Sequence, residues 1–434
     1  MAALTVGGSS TSSAAVCLEH LASWARLRRG RQHIRNYQLQ ALQRLIRHAA
    51  DQVPYYRQAF ESAQVGPADL RSLDALAHFP ISSKSDLQRA PLASRFAAGF
   101  NVENCRVHET SGSTGERLLI ARTPTEELRL FGLRLRSQIL NVLRPWHRRF
   151  IIGASPRKLA AHKLGVFRTS GVDLSLSPKE MLDKAELHRP HIIKGPPGAL
   201  ELLLEEDPQR LTALSLEFIL SGAEQLPGGL RDRLEECCAC RVIDSYGAVE
   251  CNLIAWECRH CGMYHTCDDS VIVEVLNGDR PALPGQEGDV IVTALHSYAM
   301  PFIRYRIGDR VRLPASSSSC SIPFGVIHKI QGRSVDYLRF PGNIAVSPYQ
   351  IMDQLDAIPE VSRYHVLQDE THSVRVTFEA AGTHDPSIEH RVRDSLKQVL
   401  PADVFIESRR VDRIDSRSAT KRRFVQSRIT SAAA

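Results

Sequence analysis

Six consecutive residues, Thr110 to Gly115 in the stretch ETSGSTGERL (Glu109–Leu118), are hydroxylated or glycine. Such a segment has no apolar side chain to bury, so packing does not account for it. It reads either as a solvated loop or as a phosphate cradle, in which glycines turn backbone N–H groups toward an anion and hydroxyls add donors. Its spacing is not the G-x-x-x-x-G-K-[ST] of a P-loop NTPase. Four further segments follow in order. SYGAVE (Ser245–Glu250) offers the Tyr246 ring, a turn expected on Gly247 and the Glu250 carboxylate. MPFIRYRIGDRV (Met300–Val311) carries Asp309, expected in a polar turn, where a carboxylate can accept from two neighbouring hydroxyls. GRSVDYLRFPG (Gly332–Gly342) brings Arg333 as a fixed cation, and SATKRRFV (Ser418–Val425) brings Lys421 near the C-terminus. Singly, each has a plainer role: core aromatic, turn former, surface charge, basic tail. Together, in this order, the plainer roles do not account for them.

A second constellation follows Glu250 directly. In CNLIAWECRHCGMYHTC (Cys251–Cys267), Cys258-x2-Cys261 with His265 and Cys267 has a spacing compatible with tetrahedral zinc, and Cys251 is a fifth candidate. Thiolates favour zinc or an iron–sulfur cluster, and the histidine favours zinc. The plainer reading is a group of small buried thiols. CCAC (Cys237–Cys240) reads as core, and PASSSSCS (Pro314–Ser321) as a low-complexity loop with no assigned role.

These residues need elements to hold them. Leu39, Leu42, Leu45 and Ile46 recur at helical spacing within Arg35–Asp51. Short β-branched runs then alternate with helix-like stretches: FIIGAS (Phe150–Ser155), HIIKG (His191–Gly195), EFILSGAE (Glu217–Glu224) and RVIDSYGAVE (Arg241–Glu250). That rhythm predicts βαβ units and a mainly parallel sheet. SVIVEVL (Ser270–Leu276) and DVIVTAL (Asp289–Leu295) predict a β-rich subdomain. SVRVTFEA (Ser373–Ala380) followed by a helix-like stretch to Leu400 predicts a small α+β domain beginning near Arg333.

At 434 residues the chain has room for two or three domains, and 43% hydrophobic with 24% charged residues is ordinary for a globular protein. A net charge of +7 admits anionic ligands without requiring nucleic acid, for which no basic stripe or DNA-binding spacing is present. No run of eighteen apolar residues predicts a membrane span. Ten cysteines behind an N-terminus without a signal segment predict a cytoplasmic location.

The ordered set resembles the adenylate-forming superfamily of acyl-CoA synthetases, adenylation domains and luciferases, and within it the phenylacetate-CoA ligase family. The resemblance runs from about Pro54 in VPYYR to Phe424, and FPISSKSDL (Phe79–Leu87), SGAEQL (Ser221–Leu226) and AMPFIRYRIGD (Ala299–Asp309) are close to that family's usual wording. It implies an α/β fold. A large N-terminal domain over residues 26–332 has mainly parallel sheets and a β-rich subdomain, with a Cys/His insertion at 251–267. A small mobile α+β C-terminal domain over 333–434 rotates between half-reactions about Arg333–Asp336, and residues 1–25 form a disordered lead-in. It also implies roles. Ser111, Gly112, Ser113, Thr114 and Gly115 hold the β- and γ-phosphates of ATP, with Thr114 counted among the catalytic residues. Ala223, Glu224 and Tyr246 frame the adenine, Gly247 and Arg333 belong to the same nucleotide set, and Asp309 binds the ribose hydroxyls. Glu250 holds Mg²⁺, and Lys421 stabilises charge on the acyl and phosphate oxygens. In some members the Cys/His insertion carries a structural metal.

The implied reaction is activation of a carboxylic acid, aryl or aryl-alkyl favoured, to an acyl-adenylate and transfer to a thiol, coenzyme A first among acceptors. An amine, a carrier-protein thiol or nitrite activation for diazotisation stay open as alternatives, as do a non-catalytic nucleotide-binding module and a homodimer. Two positions depart from the family pattern: Arg117 stands where proline is usual, and Thr420 replaces the glycine before Lys421, leaving Arg422 and Arg423 as rivals.

Overall fold

The computed structural model describes residues 20–109, 117–153, 164–316, 320–333, 337–342, 344–380, 387–412, 414 and 424–429. The described residues fall into two compact units. One comprises those within Met1–Leu143, Ser245–Ile307 and Val311–Lys329, and the other those within Arg144–Asp244, Gly308–Arg310 and Ile330–Ala434. Among them no helix is long and apolar enough to cross a membrane.

In the first unit the helical spacing read from Leu39 onward becomes the helix Arg31–Gln52, which buries Ile34, Ala41, Leu42, Leu45, Ile46 and Ala49 along one face. That face packs with Tyr56, Phe60, Phe79, Leu295 and Ile303, each large side chain contributing about 1.5–3 kcal/mol of burial. Residues 20–25, expected to end the lead-in, are helical, and Ser23 is buried with its hydroxyl donating to the His20 carbonyl at 2.6 Å. The two β-branched runs pair antiparallel as Val271–Asn277 and Glu287–Ala294, with Val273 opposite Val292. The helix Pro124–Asn141 starts on a capping box, Thr123 with Glu126. The Glu126 carboxylate also accepts from the Tyr298 and Ala299 N–H groups at 2.5 and 2.9 Å, so one side chain fixes a helix start and a distant loop.

The second unit contains the expected parallel sheet. Its five strands run in the order Thr169–Val172, Arg149–Ile152, Ile192–Gly195, Phe218–Ser221, Arg241–Ile243, and every pairing is parallel. The central strands carry short apolar runs because helices cover the sheet: Phe150, Ile193, Ile219 and Val242 share a core with Leu182, Leu203 and Leu234, and Cys238 joins it. The C-terminal residues form a separate four-stranded sheet, ordered Phe405–Arg410, Ser373–Ala380, Val361–Glu370, Val425–Ser427. Its alternating Val374, Val376 and Phe378 are fully buried against Ile388, Val392 and Leu396 of the helix Ser387–Leu396. The small α+β texture read downstream of Arg333 is thus present.

Candidate functional site

Two short strands flank the Ser/Thr/Gly stretch in the sequence. Strands Arg106–Glu109 and Leu119–Arg122 pair antiparallel with Glu109 opposite Leu119. Residues 110–116, and with them Ser111, Gly112, Ser113, Thr114 and Gly115, lie outside the described residues. The base of the loop is described: Arg117 donates to the Glu109 carboxylate at 2.9 Å, with both side chains largely exposed. The residue that departs from the family's proline therefore closes the hairpin's mouth.

The other end of the hairpin carries an anchor that sequence reading missed. Arg122 is buried, and its guanidinium donates both to the Val249 carbonyl and to the Glu127 carboxylate. His108 meets the same Glu127 at 2.9 Å. Burial alone would raise the Glu127 carboxyl, but His108 and Arg122 outweigh it and hold it below its ordinary value. Because Val249 precedes Glu250, Arg122 ties the hairpin to the Glu250 turn. Glu250 is itself buried and accepts from the Tyr305 hydroxyl at 3.1 Å. A buried carboxylate with one hydroxyl donor keeps lone pairs for a hard cation such as Mg²⁺.

Two expectations about local geometry change. Gly247 does not make the turn. It lies in the strand Ser245–Ala248, opposite Leu253, and a Cβ there would sit 2.4 Å from the Asn252 carbonyl oxygen. Close approach of two backbones, not a positive φ, requires glycine. The turn comes later, where the Cys251 N–H donates to the Ala248 carbonyl at 3.2 Å. Tyr246 is buried in the same strand. Asp309, expected in a polar turn, lies buried in the strand Tyr305–Arg312, next to Gly308 at φ +90°. The positive φ falls within the strand, where the turn was expected.

In the second unit SGAE follows the strand Phe218–Ser221. Ala223 takes φ +73°, a left-handed conformation that alanine rarely adopts, and its side chain is exposed. A Glu224 carboxylate oxygen lies 3.4 Å from the Gly198 N–H in the first turn of the helix Pro197–Glu206, a setting that suits a carboxylate. This loop stands beyond the carboxyl ends of parallel strands, where such sheets bind ligands. Arg333 ends the strand Lys329–Arg333. Lys421, with its rivals Arg422 and Arg423, lies outside the described residues, as do residues 334–336 of the expected hinge.

The thiolate cluster is well defined, with a changed membership. Cys258, Cys261, His265 and Cys320 bring their ligand atoms within 4.8 Å of one another. The Cys258 and Cys320 sulfurs are 3.9 Å apart, and the Cys261 Sγ is 3.7 Å from the His265 Nε2. With zinc–sulfur bonds of about 2.3 Å a tetrahedral edge is about 3.8 Å, so these spacings and the S₃N donor set fit zinc. A knuckle presents the first two thiols: the Gly262 N–H donates to the Cys258 carbonyl at 2.9 Å, with Gly262 at φ +69°. Burial pushes the Cys258 thiol up to about 11, so without a cation it stays protonated. Cys251 and Cys267 stand outside the group. The Cys267 Sγ lies 3.8 Å from the Ser137 hydroxyl, and burial pushes its thiol up to about 12.

Cys320 comes from the loop read as low complexity. Its route to the cluster is fixed by pairing of Val326–Ile327 with Tyr264–Thr266 and by the Gly325 N–H donating to Asp268 at 2.6 Å. A Cβ on Gly325 would meet the Thr266 hydroxyl at 2.7 Å. No spacing rule reaches 53 residues past Cys267; a lone cysteine in a serine run was the one available signal.

Comparison with known proteins agrees with this picture. A family model described as AMP-binding enzyme matches residues 140–296. The chain is 28% identical to the phenylacetate-coenzyme A ligase of Thermus thermophilus over 353 residues, 78% of each chain. It is 27% identical to that of Escherichia coli over 405 residues, covering 85% of this chain and 90% of the other. Among solved structures, 2-hydroxyisobutyryl-CoA ligase in the postadenylation state matches with a TM-score of 0.75 at 18% identity, over 92% of this chain and 90% of that one. The same ligase in the thioesterification state, with 2-HIB-AMP and CoA, matches with a TM-score of 0.60 at 18% identity, over 91% and 90%. The chain is an adenylate-forming, AMP-binding enzyme. Within that superfamily these similarities support the phenylacetate-CoA ligase-like family.

Proposed function

We propose that this protein activates a carboxylic acid with ATP, releasing pyrophosphate, and passes the acyl group from the acyl-adenylate to coenzyme A. An aryl or aryl-alkyl acid is favoured, on the similarity to phenylacetate-coenzyme A ligases. The observation that carries the reading is the Arg122–Val249 contact, which fastens the hairpin bearing the Ser/Thr/Gly loop to the turn bearing Glu250. Ser111 to Gly115 then take the β- and γ-phosphates, and Glu250, oriented by Tyr305, holds Mg²⁺. When bound, that ion offsets phosphate charge as the α-phosphorus is attacked. Ala223, Glu224, Tyr246 and Gly247 bind the base, Asp309 the ribose, Arg333 the nucleotide, and Lys421 the developing oxyanion. The C-terminal domain takes one position for each half-reaction, in line with the two states in which 2-hydroxyisobutyryl-CoA ligase has been captured. A pyrophosphate-exchange screen over aryl and aliphatic acids, with AMP release measured with and without coenzyme A, tests this. No exchange with any acid ends the reading; exchange without coenzyme A-dependent AMP release moves the acceptor to an amine or another nucleophile.

The loop has its own test. Its contacts go to phosphates that leave as pyrophosphate, so they act on ATP and not on the acyl-adenylate. Thr114→Val keeps the shape and removes one charge-assisted hydrogen bond of about 1.5–3 kcal/mol, so adenylation should slow by roughly ten- to a hundredfold. Binding of a non-hydrolysable acyl-adenylate mimic should change by less than about threefold. Equal weakening of both ligands would make the loop a structural element.

For the Cys/His cluster we propose one structural zinc held by Cys258, Cys261, His265 and Cys320. An adenylation that releases pyrophosphate needs no metal-activated water, so the ion's role is to close the insertion. Freshly reduced, untagged protein should carry about one zinc per chain. Cys320→Ser should lower zinc content and melting temperature, and Cys251→Ser should leave zinc content unchanged. Zinc retained in full by Cys320→Ser would restore the original five-candidate set.

A further inference from the structure

Within the second unit, the parallel-sheet lobe and the C-terminal lobe have separate apolar cores that share no residue among those described. Among the described residues, polar contacts join them. The helix Gly228–Cys238 has no side-chain cap of its own. Its cap comes from the C-terminal lobe: the Gly229 N–H donates to Asp356 Oδ2 at 3.0 Å, and Asp356 Oδ1 accepts from the Tyr364 hydroxyl at 2.8 Å. A Cβ on Gly228 or Gly229 would stand 3.3 Å from that carboxylate, so the two glycines make room for it. Beside this cap, buried Arg363 pairs with Glu205 and lies 3.4 Å from Glu201, while Arg233 reaches Glu201 at 3.6 Å and the Ser362 carbonyl at 3.4 Å.

A seam of this kind opens without exposing a continuous apolar surface, and its charges exchange their partners for water when it does. Buried ion pairs fix geometry more than they add net stability, and a carboxylate at a helix N-terminus is favourable only over the first turn. Both properties suit contacts that must hold one arrangement and then let go.

We propose that Asp356, Tyr364 and Arg363 form a releasable latch, positioning the C-terminal lobe on the parallel-sheet lobe for adenylation and opening for acyl transfer. The inference rests on the two-step reading above. Asp356 and Arg363 are positioning residues: they act through the lobe that also carries Lys421 and touch no reacting atom.

The test reads docking and chemistry separately. A first-turn N–H has no acceptor within its helix, so hydrogen exchange at Gly229 reports the cap itself. Asp356→Ala should speed exchange at Gly229 by about tenfold or more. The strand Ile192–Gly195 should keep its protection. Adenylation should slow by roughly ten- to a hundredfold, with acyl transfer from supplied acyl-adenylate unchanged or faster, a factor that corresponds to losing one such charge-assisted contact. Asp356→Asn, which keeps an acceptor, should restore most of both, and Glu205→Gln, at a half-exposed carboxylate, should give a milder form of the same split. Unchanged exchange at Gly229, loss of protection in Ile192–Gly195, or equal slowing of both half-reactions overturns the latch. Wild-type protein that supports no acid-dependent pyrophosphate exchange overturns the enzymatic reading, whatever Gly229 reports.

Discussion

Replacing Lys421 by alanine should slow acyl-adenylate formation by about two to three orders of magnitude, the scale of removing one key donor from a developing oxyanion. The ammonium is assigned to the moment when charge builds on the carboxylate and α-phosphate oxygens, and it is needed only while the C-terminal lobe is docked for adenylation. Acyl transfer from pre-formed adenylate should therefore stay within about threefold of wild type. Arg422→Ala and Arg423→Ala, the neighbouring rivals, should each lower adenylation by less than about tenfold. The split matters more than the size of the loss: equal slowing of both half-reactions removes Lys421 from this role, and a larger effect at Arg422 or Arg423 moves the role by one or two positions. Thr420 stands where glycine is usual before Lys421, which makes the comparison with Arg422 and Arg423 worth doing in full.

Much of this was legible in the sequence for a physical reason. Fully covered strands must be apolar throughout, so FII, HII and FIL announce a parallel sheet, and the helix Arg31–Gln52 announces itself by the spacing of its buried leucines. Short motifs carry their chemistry in residue type: the Glu250 carboxylate, and the paired thiols of Cys258 and Cys261, were readable without coordinates. Contacts between distant segments were not. Nothing local marks Cys320 as the partner of Cys258, Arg122 as the tie to Val249, or Asp356 as the cap of a helix that begins at Gly228. Backbone conformation was also misjudged where two causes give the same residue. Gly247 answers a close approach where a turn was expected, and Gly308, at φ +90°, stands within a strand where Asp309 was expected in a turn.

The same limit hid a fully buried ion pair. Arg136 is fully buried in the helix Pro124–Asn141, and its guanidinium donates to both oxygens of Asp269, one at 2.9 Å, while Arg26 lies 3.5 Å from the same carboxylate. Burial works to raise the Asp269 carboxyl, but Arg136 and then Arg26 outweigh it and hold it below the ordinary carboxylate value. Its contribution to stability is therefore complete above the usual carboxylate range and is lost as pH falls through the depressed value. Arg136→Met leaves buried Asp269 with only the longer Arg26 contact as its ion pair, which should cost about 3–5 kcal/mol in urea unfolding near neutral pH. The deficit should shrink in acid, where the stranded carboxyl takes up a proton and the wild-type pair loses its own advantage. Adding Asp269→Leu to Arg136→Met should recover part of the loss, and not all of it, because buried Arg26 then loses this carboxylate. If the single replacement costs less than about 1 kcal/mol, or the double variant is no better than the single, Asp269 is solvated in solution and this pair does not hold the unit together.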